Sequence, residues 1–154
     1  MSDRVEIVTP VGRIVMGSVY KPNDKDAEGR PLVYKSGPQA GQPRVQYFLG
    51  VAIPKKGESH WNQTEWGQKI WLVAQTAFPH FFNAGQLLKP DFAFKIEDGD
   101  STIPNQKGTA NNTREGFPGH WVLKLTNGFP PKLVNKDGTQ TLTEPDAIKA
   151  GYYV

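Results

Sequence analysis

The chain has 154 residues, of which 37% are hydrophobic, 21% charged and 11% aromatic, with a formal net charge of +3. That length fits one domain with a modest core, and the 16 glycines and 13 prolines favour short strands and turns over long helices. The absence of cysteine excludes disulfides, thiolate metal sites and cysteine nucleophiles. With no stretch near the roughly eighteen apolar residues of a membrane span and no signal-peptide core at the start, the chain reads as soluble and intracellular.

Residues 12–20 (GRIVMGSVY) are rich in β-branched and apolar types and predict a strand ending at Lys21-Pro22-Asn23-Asp24. Residues 22–44 are polar and rich in Gly and Pro, a long loop interrupted by Leu32-Val33-Tyr34. Residues 44–53 (RVQYFLGVAI) carry the strongest strand signal, stopped by Pro54. Alternation there places Val45, Tyr47, Leu49, Val51 and Ile53 on one face and Gln46, Phe48, Gly50 and Ala52 on the other. Residues 62–78 predict a helix. Asn62 and Glu65 fit a capping box, Pro79 ends the segment, and Trp66, Ile70, Val73 and Ala77 form an apolar stripe.

Residues 92–97 alternate as a strand, with Phe92, Phe94 and Ile96 on one side, and Asp98-Gly99-Asp100 reads as a turn. After a polar loop over 101–119, residues 120–126 alternate again, Trp121, Leu123 and Leu125 opposing His120, Val122 and Lys124. Asn135 to Gly138 is a turn signal and residues 151–154 resemble a short strand. There is no internal repeat and no domain boundary, so residues 1–154 read as one mainly β domain. A five-stranded Greek-key barrel with one helix between strands has this order of elements, and so does a small α+β sandwich.

Enzymatic chemistry has no positive support. Asp24-x-Asp26-x-Glu28-Gly29 matches the opening of a calcium loop, but the twelfth position, which needs a bidentate acid, is Lys35. Asp98 and Asp100 lack the partners of a two-metal nuclease centre, and His60, His80 and His120 are too scattered for a zinc site. His80, beside Phe81 and Phe82, reads as partly buried. Phosphate-binding glycine loops and nucleophile elbows are missing. No cofactor and no metal is expected.

What remains is charge and rings. Residues 1–60 carry nine Lys/Arg against six Asp/Glu and hold the whole positive excess, a concentration suited to a polyanion. Aromatic and basic residues interleave along the strands and loops: Arg13, Tyr20, Lys21, Tyr34, Lys35, Arg44, Tyr47, Phe48, Lys55, Lys56, Phe117, Trp121 and Lys124. Single-stranded nucleic acid needs this pairing, cations for phosphates and flat rings for unpaired bases. The competing reading is that the rings are core. It is the stronger one for Tyr47, which shares a face with Leu49, Val51 and Ile53, and for Trp121, which shares one with Leu123 and Leu125. Phe48, between the small Gly50 and Ala52, has room for a base.

Three segments resemble the single-stranded DNA-binding proteins of tailed phages, of the T7 type: Tyr20-Lys21-Pro22-Asn23 after the first strand, Arg44 to Lys56 with its Ile-Pro-Lys end, and the run from Asp98-Gly99-Asp100 through Trp121 to Gly151-Tyr152. The resemblance implies an OB-fold, binding of single-stranded DNA without strong sequence preference, and no catalysis. It implies phage replication or recombination proteins as partners, in the host bacterial cytoplasm, and no membrane. Lys21, Lys55 and Lys56 match its motif positions most closely. Such proteins finish in an acidic tail that contacts partners, whereas residues 135–154 hold only Asp137, Glu144 and Asp146 as acids, so tail functions are not carried over. The alternative from another class is a structural, virion or interaction β-barrel protein that binds no DNA.

Overall fold

The computed structural model describes residues 5–26, 28–83, 85, 94–105, 107–134, 137, 138, 148 and 151–154. Among these residues the fold is mainly β, an open four-stranded antiparallel sheet of order β1-β2-β4-β3. Strand β1 spans Arg13–Asn23, β2 Gln46–Pro54, β3 Ile96–Asp98 and β4 His120–Asn127. β1 runs three residues further than the sequence indicates. It lies at the sheet edge, where Pro22 costs no ladder hydrogen bond. Within it, Gly17 has φ 82°, and a Cβ at this position would run into the Phe48 carbonyl. Only glycine lets β1 come this close to β2. The Ser18 hydroxyl then accepts the backbone amides of Tyr20 and Lys21, each at 3.1 Å.

Among the described residues β3 begins at Ile96, within the expected 92–97 strand, because Lys95 has a left-handed φ of 61° that turns the chain immediately before it. Its register on β4 sets Ile96 opposite Leu123, Glu97 opposite Val122 and Asp98 opposite Trp121. Phe92, expected to begin that strand, lies outside the described residues, as do Asn135 and Lys136 of the expected turn. Gly151 and Tyr152 exchange backbone hydrogen bonds with Ile14 at 2.7 and 2.9 Å, so the short strand signal at 151–154 becomes a pairing with the start of β1.

The loop over 22–44 is not featureless. Antiparallel bridges Lys25–Pro31 and Val33–Pro43 fold it into a hydrogen-bonded arm. In its first turn the Asp26 carboxylate accepts the amides of Arg30 and Glu28 and pairs with the Arg30 guanidinium at 2.8 Å. The Arg30 amide chiefly holds the Asp26 carboxyl below its usual range. Asp26 and Glu28, two of the residues that mimic a calcium loop, are thus engaged with their own turn.

The helix begins later than its sequence signal. Residues Trp61–Gln63 form a 3-10 turn capped by the His60 imidazole, and α1 spans Glu65–Ala77. Thr64, not Asn62, is its N-cap, its hydroxyl accepting the Gly67 amide at 2.8 Å. Buried Trp66, Gly67 and Ala74 define the inward face, while Val73 and Ala77 of the expected stripe are exposed. The later start and the close approach of Gly67 to the Trp61 carbonyl select this face. Pro79 opens a second helix, α2, over Pro79–Asn83, rather than ending the segment in coil.

The chain resolves into two compact units: residues 1–12 with Ala52–Leu123, called here the helical unit, and Arg13–Val51 with Lys124–Val154, the arm unit. The helical unit's core contains Ala52, Ile53, Trp61, Trp66, Phe117, Trp121, Val122 and Leu123. The arm unit's fully buried hydrophobic residues are fewer among the described residues: Ile14, Val19 and Val51. No helix among the described residues is long and apolar enough to cross a membrane.

Candidate nucleic-acid interface

The two units divide the thirteen interleaved residues. Arg13, Tyr20, Lys21, Tyr34, Lys35, Arg44, Tyr47, Phe48 and Lys124 belong to the arm unit, and Lys55, Lys56, Phe117 and Trp121 to the helical unit. They also divide the charge. The arm unit holds ten Lys/Arg against six Asp/Glu, the helical unit eight against nine. Lys55 and Lys56 thus fold apart from the basic group suggested by linear sequence, and the excess is concentrated in one unit.

In the helical unit the candidates are occupied structurally. Phe117 is 1% exposed and Trp121 3%, so neither ring presents a face to a base. The Arg114 guanidinium lies 4.1 Å from the Phe117 centroid and the Lys55 ammonium 4.3 Å from that of Trp121, geometries of cation–π attraction. The Trp121 indole Nε1 is buried and completes no hydrogen bond among the described residues. The Glu58 carboxyl is held below the usual range first by the Lys56 amide, 2.7 Å away. Lys56 itself is exposed.

Lys55, expected to meet phosphate, is instead shared by two carboxylates, Asp98 and, at 2.7 Å, Asp100. Burial is the largest single influence on its ammonium and opposes the charge, but the hydrogen bonds to Asp100 and Asp98 and their charges together raise its pKa. The Asp100 carboxyl is lowered, first by Lys55 and then by the Gly119 amide at 2.9 Å. The two acids that could have suggested a nuclease centre thus share one lysine between them, and no group of three or more candidate metal ligands occurs among the described residues.

A pH dependence follows. A carboxyl whose folded pKa is depressed contributes stability that is present above its unfolded value and lost as pH falls through the folded one. Denaturant stability is expected to drop as pH is lowered below about 4, and Asp100→Asn is expected to flatten that part of the profile. An unchanged acid limb in a folded Asp100→Asn protein would remove Asp100 from the account.

His80, Phe81 and Phe82 also depart from expectation. All three are exposed, at 44% and 41% for the two phenylalanines, because α2 is a five-residue extension with no buried residue. His60 packs with Trp61, Trp71 and Phe94 in a cluster whose ring centroids lie 4.7 to 6.1 Å apart where paired.

In the arm unit, Tyr47 and Phe48 line one cleft of about 120 Å³ with Val19, Leu49, Leu125 and Pro131, and Ser18, Thr126 and Asn127 are its polar lining residues. Neither ring is fully buried. Leu125, expected to be core with Trp121, is 47% exposed at this cleft. Both faces of β2 and β4 are buried over Val51–Ile53 and Trp121–Leu123, but the other halves of these strands, which belong to the arm unit, open out. Strand alternation alone could not separate the halves.

Lys21 and Lys35 are exposed, and Arg13, Tyr20 and Lys124 are half-buried. The Tyr20 hydroxyl accepts the Ile148 amide at 3.0 Å and is committed to that contact. Tyr34, beside Lys35 on the arm, is 41% exposed. The cleft's apolar walls, able to desolvate a flat ring, belong to the same unit as the positive excess. No family model, curated protein or solved structure matches the chain.

Proposed function

We propose that this protein binds single-stranded DNA with little sequence preference, and that the arm unit carries the interface. The observation that carries this reading is the coincidence, in one unit, of the Tyr47–Phe48 cleft and the whole positive excess. Rings at the cleft stack on unpaired bases, and Lys21 and Lys35 meet phosphates. The resemblance to phage proteins of the T7 type supports the same reading and extends it to an OB-type barrel, to protection of single strands in phage replication or recombination, to partners among those proteins and to the bacterial cytoplasm. Binding of this kind requires no catalytic group and no cofactor.

The test is a titration of labelled oligo-dT of about 30 nucleotides against a matched duplex at two salt concentrations. Expected are preference for the single strand and affinity that falls steeply with salt, the slope reporting phosphate contacts. All four tryptophans, Trp61, Trp66, Trp71 and Trp121, lie in the helical unit and three are buried. Anisotropy of the oligonucleotide is therefore the readout, not intrinsic tryptophan quenching. Equal duplex binding, or none at low salt, overturns the proposal.

One observation favours the second reading, a structural or interaction protein: the apolar side chains of Leu72, Val73, Phe78, Phe81 and Phe82, on α1, α2 and the residue between them, are exposed. That reading predicts concentration-dependent self-assembly without DNA affinity, readable by sedimentation.

A further inference from the structure

Phe129 is 76% exposed, the most exposed aromatic side chain among the described residues. It follows the end of β4, and its neighbours two residues to either side, Asn127 and Pro131, both line the Tyr47–Phe48 cleft. Two residues of extended chain span at most about 7 Å, so the Phe129 backbone lies within about 7 Å of two residues that line the cleft. The segment is also stiff. Phe129 precedes Pro130, which restricts it to extended backbone, and Pro130 and Pro131 have fixed φ. A ring held out on such a segment loses little freedom when it meets a ligand, and covering it removes apolar surface from water.

Resting on the single-strand reading above, we infer that Phe129 is a base-stacking residue which covers an unpaired nucleobase seated in the Tyr47–Phe48 cleft, holding it between two apolar surfaces. The occupant is a base of a polyanion rather than an uncharged apolar ligand because the unit carrying cleft and ring is the one with the positive excess. A paired base cannot enter without leaving its helix, so the arrangement selects single strands by access, independently of the phosphate contacts.

The test uses the full chain, labelled oligo-dT, and the variants Phe129→Ala and Phe129→Trp. Phe129 is exposed, so both variants are expected to fold, with unfolding transitions near that of the unsubstituted protein. Phe129→Ala is expected to weaken oligo-dT binding by about 5- to 150-fold with the salt slope unchanged. Phe129→Trp is expected to retain affinity and to add a tryptophan signal in the arm unit that oligo-dT quenches. Phe129→Ala binding like the unsubstituted protein overturns the inference and leaves the single-strand reading standing. A weakened Phe129→Ala together with an unquenched or equally weakened Phe129→Trp overturns it as well. Absence of oligo-dT binding by the unsubstituted protein overturns the reading and the inference together.

Discussion

Replacing Tyr47 and Phe48 together by alanine is expected to reduce oligo-dT affinity by about 5- to 150-fold for each ring that stacks, while leaving the slope of affinity against salt unchanged. The physical distinction is that a stacked ring removes apolar surface from water, whereas a lysine displaces counterions. Lys21→Ala or Lys35→Ala is expected to do the opposite, a smaller loss with the slope reduced by about one for each phosphate contact removed. The rings are half-buried on β2, so each variant needs a matching thermal unfolding curve. A double variant that folds and binds unchanged would take the cleft out of the interface, whatever the lysines do.

A large effect on stability is expected at Gly99. A Cβ there would collide with the Phe117 carbonyl and come within 2.6 Å of the His120 carbonyl, both backbone atoms. Its amide donates to the His120 carbonyl at 2.9 Å, and the His120 amide in turn donates to that of Phe117 at 3.1 Å. Neither oxygen can withdraw without breaking this chain. Flanking the glycine, Asp98 and Asp100 hold Lys55, which lies over Trp121. Gly99→Ala is expected to destabilise by about 3 kcal/mol, the upper part of the range for overpacking. The matched control is Gly128→Ala, where the added methyl meets nothing within 4 Å, and the expected change is within about 1 kcal/mol. Urea unfolding of the pair is the measurement; equal midpoints would show that the turn yields.

Asp98-Gly99-Asp100 marks where legibility stops. Composition and spacing identify it as a turn, and it is one. The reason for glycine, however, is close approach of a backbone segment eighteen or more positions away, not a turn dihedral, since Gly99 is absent from the residues with positive φ. Lys55 follows the same logic. In the sequence it is one of two lysines at a strand end, which commonly face solvent. Its occupation becomes visible only when β3 is paired with β4 and Asp98 is set opposite Trp121. The helix shows a smaller failure. Asn62 and Thr64 are both competent caps, and local preference does not choose between them. The 3-10 turn at Trp61–Gln63, held by His60, consumes the first and leaves Thr64 to cap α1.

What the amino-acid order determined by itself is the set of local elements: three of the four strands from β-branched and aromatic alternation, one main helix from its period and caps, the prolines and glycines that punctuate them, and the pairing of rings with cations. These depend on interactions within a few residues, which a linear reading contains. Tertiary structure alone decided which rings are core and which reach a surface. Period-2 alternation distinguishes two faces of a strand but not its two halves, and in β2 and β4 it is the halves that differ. It also decided where the charge excess sits, because residues 52–123 fold as one unit between segments of the other. Phe129, between Gly128 and two prolines, carries no periodic signal. It becomes a candidate only when Asn127 and Pro131 are seen to line the same cleft as Tyr47 and Phe48, because burial and proximity are properties of the packed chain, not of its neighbours in sequence.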